Sequence, residues 1–144
     1  MSTRTAGPHT WHLPLPARRT EVARTGVGGF FLAAGGAHVG IVATDPATYA
    51  PFADQALFAF VRDGWSEVFM AAPVLWGLAL ALGETALGAL LLLGGRAARV
   101  GWAGVIAFHG ALMLFGFWAW LWAVPALLLL VPLARADWPH LSST

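Results

Sequence analysis

An all-α integral membrane protein is predicted by three observations: a bundle of four spanning helices, with a short interfacial helix in the outer loop between helices 1 and 2. The 144 residues are 58% hydrophobic and 10% charged, whereas soluble domains carry about 25% charged residues. The apolar residues gather in runs long enough to cross a bilayer, which takes about 20 residues per helix. Seven of the eight basic residues, all arginines, fall on one side of those runs, the bias that orients membrane helices.

Residues 1–22, MSTRTAGPHTWHLPLPARRTEV, are polar and proline-rich with no apolar core, so they read as a cytoplasmic extension rather than a cleavable signal. The spanning domain is expected over residues 23–135. Helix 1 runs from about Thr25 to Ala43 and stops at Thr44-Asp45-Pro46, because proline cannot continue a helix. Residues 45–64, DPATYAPFADQALFAFVRDG, hold an apolar stretch too short to span and form the outer loop with its interfacial helix. Helix 2 extends from near Trp65 to Leu93, longer than a straight crossing needs, which predicts tilt or a kink at Pro73. GGRAAR closes it. Residues 100–116 and 121–135 give helices 3 and 4, joined by a tight turn in Phe117-Trp118-Ala119-Trp120, and residues 136–144 form a polar cytoplasmic tail.

Arg4, Arg18, Arg19 and Arg24 precede helix 1, Arg96 and Arg99 separate helices 2 and 3, and Arg135 follows helix 4. Only Arg62 lies on the other side, so both termini are expected in the cytoplasm. Trp65 and the tryptophans at 118, 120 and 122 then fall at the outer interface as anchors. Gly36 and Gly40 form a G-x-x-x-G on helix 1, and Gly77, Ala81, Glu84 and Gly88 share one face of helix 2, a pattern suited to close helix packing in lipid.

The absence of cysteine excludes disulfides, thiol relays, thiolate metal sites and covalent c-type haem. A net charge of +1 argues against a nucleic-acid partner. The expected partners are the lipid bilayer and either a redox partner protein or a second copy of the chain.

Three ionisable residues lie inside the predicted spans: His38, Glu84 and His109. A charged side chain at the bilayer centre costs about 2.5–3.5 kcal/mol on insertion scales, so these groups should face inward and meet partners. Counted from Ala43 and Gly116 at about 1.5 Å per residue, His38 and His109 lie nearly level, with Glu84 near the midplane about one turn below. Met113 falls on the His109 face, and Tyr49, Asp54, Asp63 and Glu67 stand at the outer mouth. A quinone or similar lipophilic ligand would take hydrogen bonds from His and Glu while its tail runs among leucines. A b-type haem would use His38 and His109 as axial ligands. A metal ion would take His38, Glu84 and His109 together. Ion translocation lacks a polar path below Glu84, where the chain reads LGALLLLGG. Against all of these stands a structural role: a neutral imidazole bonded to a backbone carbonyl, and Glu84 paired with Thr85, Trp76 or a histidine. Arg18, Arg19 and Arg24 read as topology signals.

GETALGALLLLGGRAAR, Gly83 to Arg99, resembles the signature of the DoxX-like four-helix membrane proteins, and the likeness covers about residues 22–135. Arg24, the glycines of helix 1, Tyr49 in DPATYAPFAD, Glu84 and Arg99 fit its outline. The resemblance implies a bacterial inner-membrane protein, some of whose relatives are quinone-reactive subunits linked to sulfur-compound oxidation or oxidative-stress complexes. His38 and His109 have no counterpart in that pattern. The expectation is a small redox-associated subunit binding a quinone-like ligand through His38, Glu84 and His109. The alternatives are a non-catalytic subunit or assembly factor with a structural polar cluster, and a bis-histidine haem cytochrome.

Overall fold

A computed structural model describes residues 17–142, and these are helical with no strand among them. The helix α1 spans Ala17–Thr44, followed by a 3-10 turn at Pro46–Tyr49, the short helices α2 (Phe52–Gln55) and α3 (Ala59–Asp63), and a π-helical turn at Gly64–Phe69. Three long helices complete the chain: α4 (Pro73–Leu93), α5 (Gly95–Leu112) and α6 (Phe117–Asp137), the last running into a 3-10 turn at Trp138–Ser142. The 1–22 extension falls mostly outside the described residues, but its last residues are the first turns of α1.

Among the described residues, three helical segments are long and apolar enough to cross a membrane: Arg18–Thr44, Pro73–Leu93 and Phe117–Leu141. Only 17–28% of each of their most apolar windows is buried within the protein, so most of their apolar side chains point outward, as lipid-facing helices do. The helix α5 is less apolar, since Arg96 and Arg99 occupy its first turns.

Each boundary has a local cause. Asp45 caps the 3-10 turn by accepting from Ala47 N–H at 3.0 Å, with Pro46 in the first position, so the Thr-Asp-Pro stop acts as expected. Pro73 begins α4 instead of kinking a longer helix, because proline suits the first turn, where its missing N–H has no helical partner. Trp65 to Phe69 therefore belong to a separate π-helical turn. At the other end, Gly94 and Gly95 have φ of 75° and 50°. This left-handed pair, open to glycine, reverses the chain in one step, so α5 begins five residues before the expected start of helix 3. The tight turn falls at Met113–Gly116, and Phe117-Trp118-Ala119-Trp120 is the first turn of α6.

The four long helices touch in the cyclic order α1, α4, α5, α6, with α6 closing back on α1. The tightest seam joins α1 to α4. A Cβ on Gly28 would meet Leu92 and the Gly88 carbonyl, one on Gly35 would meet Thr85 and the Ala81 carbonyl, and one on Gly77 would meet Val42 and Tyr49. Gly77, Ala81, Glu84 and Gly88 are buried along α4 as the spacing predicted. On α1 the contact glycines are 28 and 35, one heptad apart, whereas Gly36 and Gly40 face open space. The G-x-x-x-G therefore does not form the seam, because close packing follows the spacing that meets a partner, not the motif.

The interior has two unlike halves. Toward the α4–α5 turn it is filled by Phe31, Leu91, Ala98, Trp102, Val105, Leu130, Ala134 and Leu141. Toward the outer loop it is hollow. There the segment Pro46–Phe69 folds over the helices and is pinned to the α5–α6 turn by Gly116 N–H to Gln55 O (2.6 Å) and Leu57 N–H to Leu114 O (3.0 Å). The expected single interfacial helix is a series of short turns covering that hollow.

Candidate functional site

The hollow is a cavity of about 540 Å³ with His38, Tyr49, Glu84 and His109 in its wall, the rest of which is almost entirely apolar. Four of the five residues expected at the ligand site thus share one space. Each arrives from a different element: His38 from α1, Tyr49 from the 3-10 turn, Glu84 from α4 and His109 from α5.

Helix geometry brings His38 and Glu84 together. Side chains lean toward the N-terminus of their own helix. In antiparallel helices they lean toward each other, and His38 Nε2 comes within 3.5 Å of Glu84 Oε2. The other ring nitrogen, Nδ1, is 2.6 Å from the Tyr49 hydroxyl, and the two rings stack at 17°. Tyr49 is 3% exposed. It is held by Trp65, whose indole N–H donates to the Tyr49 carbonyl at 2.8 Å while its ring stacks on Phe69 at 4.0 Å. Trp65, expected as an interface anchor, is a strut of the cavity wall. Burial, with the Glu84 charge adding to it, holds the Tyr49 hydroxyl above its ordinary pKa, so it stays a hydrogen-bond donor.

Glu84 is 5% exposed, and its Oε2 makes no hydrogen bond among the described residues. The 3.5 Å separation from His38 Nε2 leaves the oxygen unsatisfied. A buried carboxyl oxygen left in this state costs about 1–3 kcal/mol or more, which makes it the conspicuous group of the site.

His109 is 2% exposed, and its Nδ1–H donates to the Val105 carbonyl one turn back at 2.9 Å. Its ring packs on Phe31, at 5.9 Å between centroids. Gly35 of α1 lies against Ala81 and Thr85 of α4, and Gly101 and Gly104 of α5 lie against Leu91 and Leu87, a register that sets His109 within about one helical turn of His38. Met113 is not at the site. It ends α5 and lines a separate groove with Val124, Leu128 and Pro132, because the helical spacing from His109 lapses where the helix stops. Asp54, Asp63 and Glu67 stay exposed outside the wall.

This geometry bears unequally on the cofactor expectations. Among the described residues no three His, Asp or Glu side chains are grouped to hold a metal ion, so the three-ligand metal centre is withdrawn. A bis-histidine haem would have to displace existing partners, since His38 already directs its two nitrogens at Tyr49 and Glu84. A lipophilic ligand meets no such obstacle. Beside the cavity, sharing Phe30, Phe31, His109 and Trp122 with its wall, a second cleft of about 350 Å³ lies between α1 and α6 along Val27, Pro125, Ala126 and Leu129. Trp122 stacks on Phe30 here at 5.6 Å, while Trp118 remains exposed as an anchor would.

A second polar cluster, unforeseen in sequence, closes the opposite end. Asp137 is 1% exposed, accepts from Trp102 Nε1–H at 3.0 Å and faces Arg24 Nη1 at 3.4 Å. Arg24 is thus part of the packing and not a topology signal alone, and Asp137 is no part of a solvated tail. A charge one turn past an apolar run was the available signal.

Comparison with protein-family models, with curated proteins and with solved structures gives no match.

Proposed function

We propose that the chain is a four-span membrane protein that binds a lipophilic ligand with a polar head, of the quinone type, in the cavity lined by His38, Tyr49, Glu84 and His109. The observation that carries this is the adjacency of two spaces: a cavity with His38, Tyr49, Glu84 and His109 in its wall and an apolar cleft between α1 and α6 that shares Phe30, Phe31, His109 and Trp122 with it. Head and tail of an amphipathic molecule call for such a pair. The DoxX-like outline, in which some relatives react with quinones, points the same way. A redox-associated role in a bacterial inner membrane, with both termini cytoplasmic and a partner protein or second copy alongside, belongs to this proposal.

The fourth span is supported by connectivity. The α4–α5 reversal takes one residue, and the far end of α5 is tied to the same outer segment that leads into α4. The 18 residues of α5 rise about 27 Å, close to the bilayer's hydrocarbon thickness of about 30 Å. If α4 crosses, α5 crosses beside it.

The test is extraction of the purified, detergent-solubilised protein followed by mass spectrometry of the organic phase. A copurifying isoprenoid or other long-chain ring compound, reduced in Ala34→Trp, which fills the cavity wall, is expected. Identical lipid content in the two proteins would reject the reading in favour of a purely structural polar cluster.

A further inference from the structure

Resting on that ligand site, we propose that its occupant presents a hydrogen-bond donor to Glu84, so that the site selects a hydroxylated, hydroquinone-type head over the corresponding quinone. The placement of protons leads to this. A neutral imidazole carries one N–H. Tyr49, a phenol kept protonated by burial, sits 2.6 Å from His38 Nδ1 and is the natural donor to it. The ring proton then belongs on Nε2, the nitrogen turned to Glu84 Oε2. Tyr49 thereby donates to His38, and the His38 N–H is turned toward Glu84 without closing a hydrogen bond, at 3.5 Å. The Oε2 of Glu84 retains acceptor capacity that nothing in the described protein fills, and the Glu84 residue lines the cavity.

A ligand hydroxyl supplies the missing donor. A quinone carbonyl, itself an acceptor, would set two oxygens against each other and leave both unsatisfied in an apolar enclosure. This selectivity is one of binding and requires no electron transfer.

The experiment is anaerobic calorimetric titration of the full chain in lipid nanodiscs with a short-tailed alkyl hydroquinone and, separately, with the alkyl benzoquinone of the same ring and tail. The expected result is hydroquinone binding at least about tenfold tighter than quinone, the consequence of one unmade hydrogen bond. Glu84→Gln, whose amide can donate, should raise quinone affinity and narrow the gap, and Glu84→Leu should abolish it. Equal binding of both probes to the unmodified protein, or tighter quinone binding, overturns this inference and leaves the ligand site standing. Binding of neither overturns the ligand site itself. The decisive comparison is made on the unmodified chain and holds whether or not either variant folds.

Discussion

The site depends on few atoms, and each leaves a measurable trace. Tyr49 is the chain's only tyrosine, so tyrosinate absorbance reads it alone. Its ionisation is expected above that of free tyrosine, and Glu84→Gln should reduce the displacement without removing it, because burial is the larger cause. The sign for stability follows. A folded state that favours the protonated phenol gains from this group below the ordinary tyrosine pKa, and loses that gain as pH rises through the raised value. Asp137 makes a second case. Asp137→Ala would strand Arg24 and the Trp102 N–H, costing about 3 kcal/mol, as removal of one partner from a buried pair does, seen as a lower unfolding midpoint in detergent. His38 and Glu84 were legible in sequence because an ionisable group in an apolar run must find a partner. Asp137 was not, since only the docking of the C-terminal turn buries it.

Among the elements, the α1–α4 seam offers the sharpest contrast. Gly35 and Gly36 are neighbours in sequence, yet a side chain at Gly35 would strike Thr85 and the Ala81 carbonyl while one at Gly36 meets nothing. Gly35→Leu should destabilise by about 1–3 kcal/mol through overpacking, and Gly36→Leu by no more than about 0.5 kcal/mol, measured by thermal or denaturant unfolding in one detergent. Equal effects would refute the seam. Small residues on α1 were visible in the sequence. Which of them faced α4 was not, because several registers of a glycine-rich helix satisfy the same composition. Helix ends divide similarly: Asp45-Pro46 and Gly94-Gly95 carry their stop signals locally, whereas Trp65–Phe69 look like part of the next helix until Pro73 is seen to start it.

For the whole molecule, the quantity to measure is topology. The chain lacks cysteine, so single cysteines at the exposed positions Asp54, Trp118 and Arg96 can be labelled with an impermeant maleimide on intact cells. Asp54→Cys and Trp118→Cys should react from outside and Arg96→Cys only after permeabilisation. Labelling of Trp118→Cys with the Arg96 set instead would eliminate α5 as a span. The same view of the molecule explains its two halves. A filled end of apolar side chains and a buried Arg24–Asp137 pair holds the helices together, and the end under the outer segment stays hollow. Composition alone determined that the chain is helical and apolar enough to cross a membrane, since lipid satisfies no backbone polar group and only internal hydrogen bonding remains. It also named the residues that had to find partners. Only the tertiary structure decided the partnership: antiparallel packing tilts His38 and Glu84 toward each other, an exposed 3-10 turn inserts its one buried residue, Tyr49, beside them, and His109 is turned to its own backbone. Those outcomes depend on the register and tilt of packed helices, which spacing along one chain does not encode.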